Sequence, residues 1–405
     1  MPVISYMGTK AALAGEISAS FNGLPSGPLL DLFAGMATIG RAVAPVRNVW
    51  LNDVQQFSRL TSELQFLNCD GSAYRTTAYR TARDIYGKHC KQLSAEFGSL
   101  LAREDAVLRT REGRDVSAME IELRAENRSG SERAALIAGK GASDYSLFTG
   151  MYAATYFGIR QCIELDALRK GIDVAAPEGD RKLGGVRRWM LAALGGAASR
   201  CSNSTGHFAQ YLTASEENVR RIASQRRRSI TREWGISLRT DTQVGNYAWR
   251  RNNRTFNLDA CDLLVSLQTG GFTPSVIYAD PPYTSDQYSR YYHILETLIK
   301  YDYPDVSGKG LYRPDRFVSS WSLKTKVCES FRALIQNASM LKSALVISYP
   351  TNGLLENSEH VIPDMLTDHF RSVKRLTPMS HQHSTMGASK GTQRQEVTEQ
   401  LFVAS

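Results

Sequence analysis

Asp280, Pro281, Pro282 and Tyr283 follow directly on the apolar run Val276–Ala279. That order predicts a motif at the carboxyl end of a strand, where open α/β sheets hold their ligands. An ionised carboxylate only accepts hydrogen bonds, and two prolines fix φ and remove competing N–H donors. Asp280 and the carbonyl of Pro281 can thus each take one hydrogen of an exocyclic amine and hold it pyramidal. Such an amine needs this help, because its lone pair is delocalised into the base ring. Tyr283 offers a flat face on which an extruded base can stack. The group would act by positioning and electrostatics, with no covalent enzyme intermediate. A plain strand-to-loop turn is the competing reading of the same four residues.

A second ligand region lies in the stretch Asp31-Leu-Phe-Ala-Gly-Met-Ala-Thr-Ile-Gly40. Gly35 and Gly40 fall between a strand and a helix, so the chain can turn sharply and let a ligand approach the backbone, although glycines at such turns are often purely structural. Asp53, at the end of the next strand Val49–Leu51, suits a ribose diol, or else a helix cap. His381 and His383 supply two imidazoles without a third ligand nearby, so no metal is expected. Ser319–Lys326 offers hydroxyls, an indole and two cations to a phosphate backbone, or equally the start of a helix. The six cysteines lie far apart without a CxxC pair, which argues against a zinc site or a disulfide framework.

These groups need a sheet to carry them. Apolar runs after turn residues predict strands over Pro28–Phe33, Val49–Leu51, Ser275–Ala279 and Ser343–Tyr349. Helical text over Arg290–Tyr301 and Lys326–Leu341 alternates with them, which predicts a largely parallel sheet wrapped by helices. Glu396–Val403 alternates like a strand and is expected to return as a final edge. From Cys69 to Arg254 the text is Ala-rich, mixed in charge and helical, as in Leu100–Glu126 and Ser215–Arg228. The expected division is therefore a catalytic domain of residues 1–68 and 255–405, interrupted by a mainly helical insertion of residues 69–254.

Of the 405 residues, 42% are hydrophobic and 22% charged, a globular composition that excludes long disorder. No window approaches the roughly 18 apolar residues of a membrane span, and the amino terminus lacks a charged segment followed by an apolar core. A cytoplasmic protein without membrane partners is expected. The net charge of +9 is unevenly spread: residues 181–254 hold fifteen Lys or Arg against four Asp or Glu. Clustered cations favour a polyanion through counterion release, whereas a solvated basic surface is the plainer reading. Arg220, Arg221, Arg226, Arg227, Arg228, Arg250 and Arg251 are the candidate phosphate contacts.

Taken in order, Tyr6-Met-Gly-Thr-Lys10, Asp31-Leu-Phe-Ala-Gly35, Asn52-Asp53 and Asp280-Pro-Pro-Tyr283 resemble the adenine-specific DNA methyltransferases of the Dam type. Asn203-Ser-Thr-Gly-His-Phe208 is similar to that family's N-x-x-G-x-F element. The likeness covers about half the chain, with Ala37 where many relatives have glycine and with a longer helical insertion. It implies an α/β fold with a Rossmann-like mixed seven-stranded sheet, S-adenosylmethionine as methyl donor, and transfer to N6 of an adenine flipped out of double-stranded DNA. Tyr6, Lys10, Asp31, Phe33, Gly35, Gly40, Asp53 and Asp259 would bind the cofactor, Lys10 through the methionine carboxylate. Asp259, or its neighbour Asp262, would accept from the cofactor's adenine amine. A partner nuclease or other defence-system subunit would fit such an enzyme. N4-cytosine methylation of DNA and N6-adenine methylation of RNA use the same amine chemistry. A catalytically silent DNA-binding subunit would instead be expected to have lost the Asp280–Tyr283 motif.

Overall fold

In a computed structural model the described residues are 4, 6, 8, 10–68, 71–110, 112–126, 144–240, 242–384 and 394–405. They form two units. The sheet unit comprises residues 6–68, 243–290 and 317–405, and the helical unit residues 1–5, 69–242 and 291–316. Two corrections to the expected division follow. Residues 243–254 belong with the sheet, because Arg254–Phe256 is itself a strand paired to its neighbour. Residues 291–316 belong with the helices, so the chain leaves the sheet twice.

Among the described residues eight strands build the sheet: β1 (Leu29–Asp31), β2 (Val49–Asn52), β3 (Arg254–Phe256), β4 (Val276–Ala279), β5 (Ala344–Pro350), β6 (Val373–Arg375), β7 (Met379–Ser384) and β8 (Arg394–Ala404). Their order is β3-β2-β1-β4-β5-β8-β6, with β7 sharing with β6 the same side of β8. The sheet is thus seven strands wide. From β3 to β5 all pairs are parallel, and β8 runs antiparallel to β5. The carboxyl-terminal strand is therefore an interior one rather than the expected edge. Its length allows this: residues 399–404 pair with β5 on one side while β6 and β7 pair successively on the other.

β1, β2, β4 and β5 are buried at every position, as parallel strands covered on both faces must be. On one face the helices Ala260–Gly270, Val327–Met340 and Ser358–Thr367 contribute Leu264, Phe331, Leu334 and Ile362 to the core. On the other, Ile17, Phe21, Ile39 and Val43 pack against Leu29, Val49 and Val346. The helix Ala260–Gly270 shows how its bounds are written in sequence. Asp259 caps it by accepting from the N–H of Cys261 at 2.9 Å, and Gly271 ends it in the left-handed conformation.

The helical unit is built around the long helices Arg75–Glu96, Ile159–Ala175 and Gly184–Cys201. The first two cross where Gly171 meets Ala82, and a Cβ at Gly171 would stand 2.4 Å from the Ala82 carbonyl oxygen. Trp234, fully buried on the helix Ile230–Leu238, donates its indole N–H to the carbonyl of Met190 at 3.0 Å. The Asn203–Phe208 element works inside this unit. Asn203 donates through its amide to the carbonyls of Thr155 and Leu212, and the Phe208 N–H bonds the Tyr291 carbonyl. No helix among the described residues is long and apolar enough to cross a membrane.

Candidate active site

At the carboxyl ends of the adjacent strands β2, β1 and β4 stand Asp53, Asp31 and Asp280, so three carboxyls converge at one end of the sheet. A cavity opens there, enclosing about 790 Å³ counted to its open mouth. Tyr6, Phe33, Asp53, Asp259 and the run Asp280–Tyr283 line it. Asp262 is exposed on the helix that Asp259 caps and lies outside the lining, so the geometry favours Asp259 of the two.

Asp53 is held by backbone. Its two oxygens accept from the N–H of Gly35 at 2.9 Å and of Gln55 at 2.8 Å, which fixes the glycine turn against β2. Burial pushes its carboxyl up, and the N–H groups partly offset this. Asn52 braces the opposite wall, donating to the carbonyls of Leu32 and Leu258 and accepting from the Leu258 N–H. Gly35 has φ of +51° and lies under the ring of Tyr6. Gly40 is a different case and lies outside the cavity lining. It sits inside the helix Thr38–Val43, where a Cβ would lie 3.0 Å from Leu51, so its smallness serves helix-on-sheet packing.

Lys10 is buried behind the lining. Its Nζ donates to Glu399 Oε1 at 2.9 Å and stands 3.1 Å from Asp280 Oδ1, with the ring of Tyr283 5.4 Å away. Burial disfavours the ammonium, but the two carboxylates outweigh it and keep Lys10 protonated. Asp280 is pushed up to about 7, by burial first, against the pull of Lys10. Asp31, also behind the lining, is pushed up to about 8 by burial and then by Asp280. No described residue bonds Asp280 Oδ2 or donates to the carbonyl of Pro281. Both acceptors of the motif are therefore unspent.

Among the residues without a sequence signal is Glu399, which stands among apolar neighbours on β8. The cavity wall also includes Gln287 and Trp321. Gln287 clasps Ser319 through two hydrogen bonds, one to its carbonyl and one from its N–H. Trp321 sets its ring edge-on to Phe33 and Phe331, with centroids 5.4 and 5.0 Å apart, and is buried. It is thus part of the wall and not the phosphate contact considered for Ser319–Lys326. His381 and His383 fall on β7, where the side chains are outside the described residues.

In the helical unit Arg220, Arg221, Arg227 and Arg228 are exposed, whereas Arg226 is buried. The Arg226 guanidinium donates to Glu120 Oε1 at 2.9 Å and to the carbonyl of Ala154 at 2.8 Å, with Glu104 3.8 Å away. It is removed from the candidate phosphate contacts, because those partners hold it in the interior. Arg250 belongs to the sheet unit and spends its guanidinium on the carbonyls of Val244 and Gly245 and on Asn68, while Arg251 is exposed.

Residues 180–348 match the family model described as D12 class N6 adenine-specific DNA methyltransferase. The match agrees with the resemblance that the motifs carry. Among curated proteins, the Type II methyltransferase M.FokI of Planomicrobium okeanokoites is 33% identical over 184 residues, covering 45% of this chain and 24% of that protein. The modification methylase LlaI of Lactococcus lactis subsp. lactis is 23% identical over 358 residues, 88% of this chain and 47% of its own length. The modification methylase StsI of Streptococcus sanguinis is 23% identical over 220 residues, 53% of this chain and 29% of its own. The chain thus spans less than half the length of each of these relatives.

Proposed function

We propose that this D12 class chain is a site-specific DNA methyltransferase that moves a methyl group from S-adenosylmethionine to N6 of an adenine flipped out of the duplex. The observation that carries the reading is the pair of unspent acceptors, Asp280 Oδ2 and the Pro281 carbonyl, at the end of β4 on the cavity wall. They would take the two amine hydrogens, and the Tyr283 ring would support the base. After transfer Asp280 would receive the proton that the amine must lose, a role suited to a carboxyl pushed up to about 7.

The donor set fits the cofactor. Carboxyls crowded into low dielectric favour a cationic ligand, and Asp31, Asp53 and Asp280 are all pushed upward there. When bound, S-adenosylmethionine supplies a methyl group activated by its sulfonium. Asp53 and Asp259 would hold its nucleoside, Phe33 and Tyr6 would pack against it, and the third N–H of Lys10 would be available to its carboxylate. The exposed Arg220, Arg221, Arg227 and Arg228 would meet DNA phosphates. Two of the relatives are named modification methylases, which supports marking of DNA at defined sites.

The test is expression in a methylation-free host followed by genome-wide mapping of modified bases. N6-methyladenine at one recurring sequence is expected. N4-methylcytosine, or modification confined to RNA, would replace the proposed substrate, and unmodified nucleic acid would overturn the activity.

A further inference from the structure

On β8, residues 397, 399 and 401 share one face of the sheet by the period of two. Val397 and Leu401 are buried apolar residues, as that face demands, but Glu399 between them is a carboxylate with no exposed surface. A charge so placed is costly unless paired. Its Oε1 accepts from Lys10 Nζ at 2.9 Å and from the hydroxyl of Ser348, and its Oε2 has no partner among the described residues. The Lys10 ammonium in turn meets Oδ1 of Asp280. A line of three groups thus runs from the interior of the sheet to the motif on the cavity wall.

We propose that Glu399 is a positioning residue for methyl transfer: it tethers the Lys10 ammonium so that Lys10 occupies Oδ1 of Asp280 and leaves Oδ2 for the target amine. The inference rests on the methyltransferase reading above. A lysine ends in a four-carbon flexible stem and a compact charge. Released from Glu399, its ammonium is free to straddle both oxygens of Asp280 and cover the one the amine needs. Glu399 has a second, electrostatic effect. Its charge offsets that of Lys10 and raises the affinity of Asp280 for protons. In the reaction the amine nitrogen would bond the methyl carbon as the carbon–sulfur bond breaks with its electron pair going to sulfur; the amine N–H bond then breaks, its pair stays on nitrogen, and the proton joins Oδ2 of Asp280. Glu399 touches neither substrate nor proton.

Glu399→Gln, nearly isosteric, is the first test, and Glu399→Asp, which keeps the charge but shortens the reach, is the second. Single-turnover transfer from labelled S-adenosylmethionine to a duplex bearing the mapped site is followed against pH. For Glu399→Gln the rate should fall about tenfold or more while KM for both substrates stays within about threefold. The acid limb of its profile should move to lower pH, because the charge that raised Asp280 is gone. Glu399→Asp should lose rate without moving the limb, and it serves alone if the glutamine variant does not fold. Carboxyl carbon NMR of the cofactor-free protein should show the same downward shift for Asp280, assigned with Asp280→Asn. A glutamine variant within twofold of wild type with an unmoved limb would overturn the proposal, as would loss confined to KM. An inactive wild type would overturn the methyltransferase reading instead, and the NMR shift would still report the coupling between Glu399 and Asp280.

Discussion

The ring of Tyr6 lies where a side chain on Gly35 would stand, since a Cβ at Gly35 would be 2.8 Å from its Cε1. Gly35 also has φ of +51°, a conformation that costs other residues about 1–2 kcal/mol. Gly35→Ala should therefore lower the melting temperature and push Tyr6 out of the cavity wall. Weaker donor binding in calorimetry is the expected readout, and unchanged affinity would place the donor away from this turn. Ala37 makes an instructive control, because it too is left-handed, at φ of +59°, and buried. Ala37→Gly relieves that backbone but gives up about 0.8 kcal/mol of packed methyl and loosens the unfolded chain, so its stability should stay within about 1 kcal/mol of wild type.

Asp280→Ala should abolish transfer yet leave donor affinity within about tenfold, because the loss falls mainly on the transition state. Turnover above about one per cent of wild type would remove Asp280 from the chemistry. Removing its neighbour has a different signature. Lys10→Met leaves Asp280 and Glu399 without their shared cation, and breaking a buried pair in this way costs about 3–5 kcal/mol. Its first effect should be seen in denaturant unfolding, where an unchanged midpoint would show that the carboxylates are paired elsewhere.

The carboxyl of Asp31, pushed up to about 8 by burial and by Asp280, makes stability depend on pH. An unfolded aspartate titrates at about 3.9. Between these values the folded state binds more protons than the unfolded one. The contribution of Asp31 is thus fully present below about pH 4 and is lost as pH rises through about 8. Asp280, pushed up to about 7, acts in the same sense. The cofactor-free protein should melt at a lower temperature at about pH 8 than at about pH 5, and Asp31→Asn should flatten that difference. Parallel curves for the two proteins would mean that Asp31 does not titrate in this range.

The strands that carry the site were legible because both faces are covered, so β1, β2, β4 and β5 read as largely apolar runs, and the first three lead into the functional carboxyls. β3 was not, since Arg254-Thr-Phe256 is a short, half-buried strand at the sheet margin. The excursion at residues 291–316 was hidden for a related reason: the helix His293–Lys300 has the amphipathic pattern of any sheet-covering helix, and pattern alone does not say which core it serves. Glu399 gave no warning as a site residue because its partner Lys10 lies 389 positions away. The same blindness affected Arg226, whose sequence neighbours are exposed arginines while its partners Glu104 and Glu120 come from separate helices.

That contrast among neighbouring arginines gives the sharpest test of the basic segment. Arg226→Ala would leave Glu104 and Glu120 buried without their cation, so it should destabilise the helical unit by about 3–5 kcal/mol. Any loss of DNA binding by that variant would report unfolding. Arg220, Arg227 and Arg228 are exposed; Arg227 and Arg228 rest one N–H each on the carbonyls of Leu108 and Arg200, which leaves their charge available. Neutralising these three together should leave the melting temperature almost unchanged. If they meet phosphates, affinity should fall alike for cognate and scrambled duplexes, and the slope of log affinity against log salt should shrink by about 0.9 for each phosphate no longer neutralised. If they read guanine edges, discrimination should fall by about 1–3 kcal/mol for each bidentate pair removed, while nonspecific binding is largely retained. A triple variant that matches wild type in both affinity and salt slope would show that this face is solvated surface and that DNA is held elsewhere.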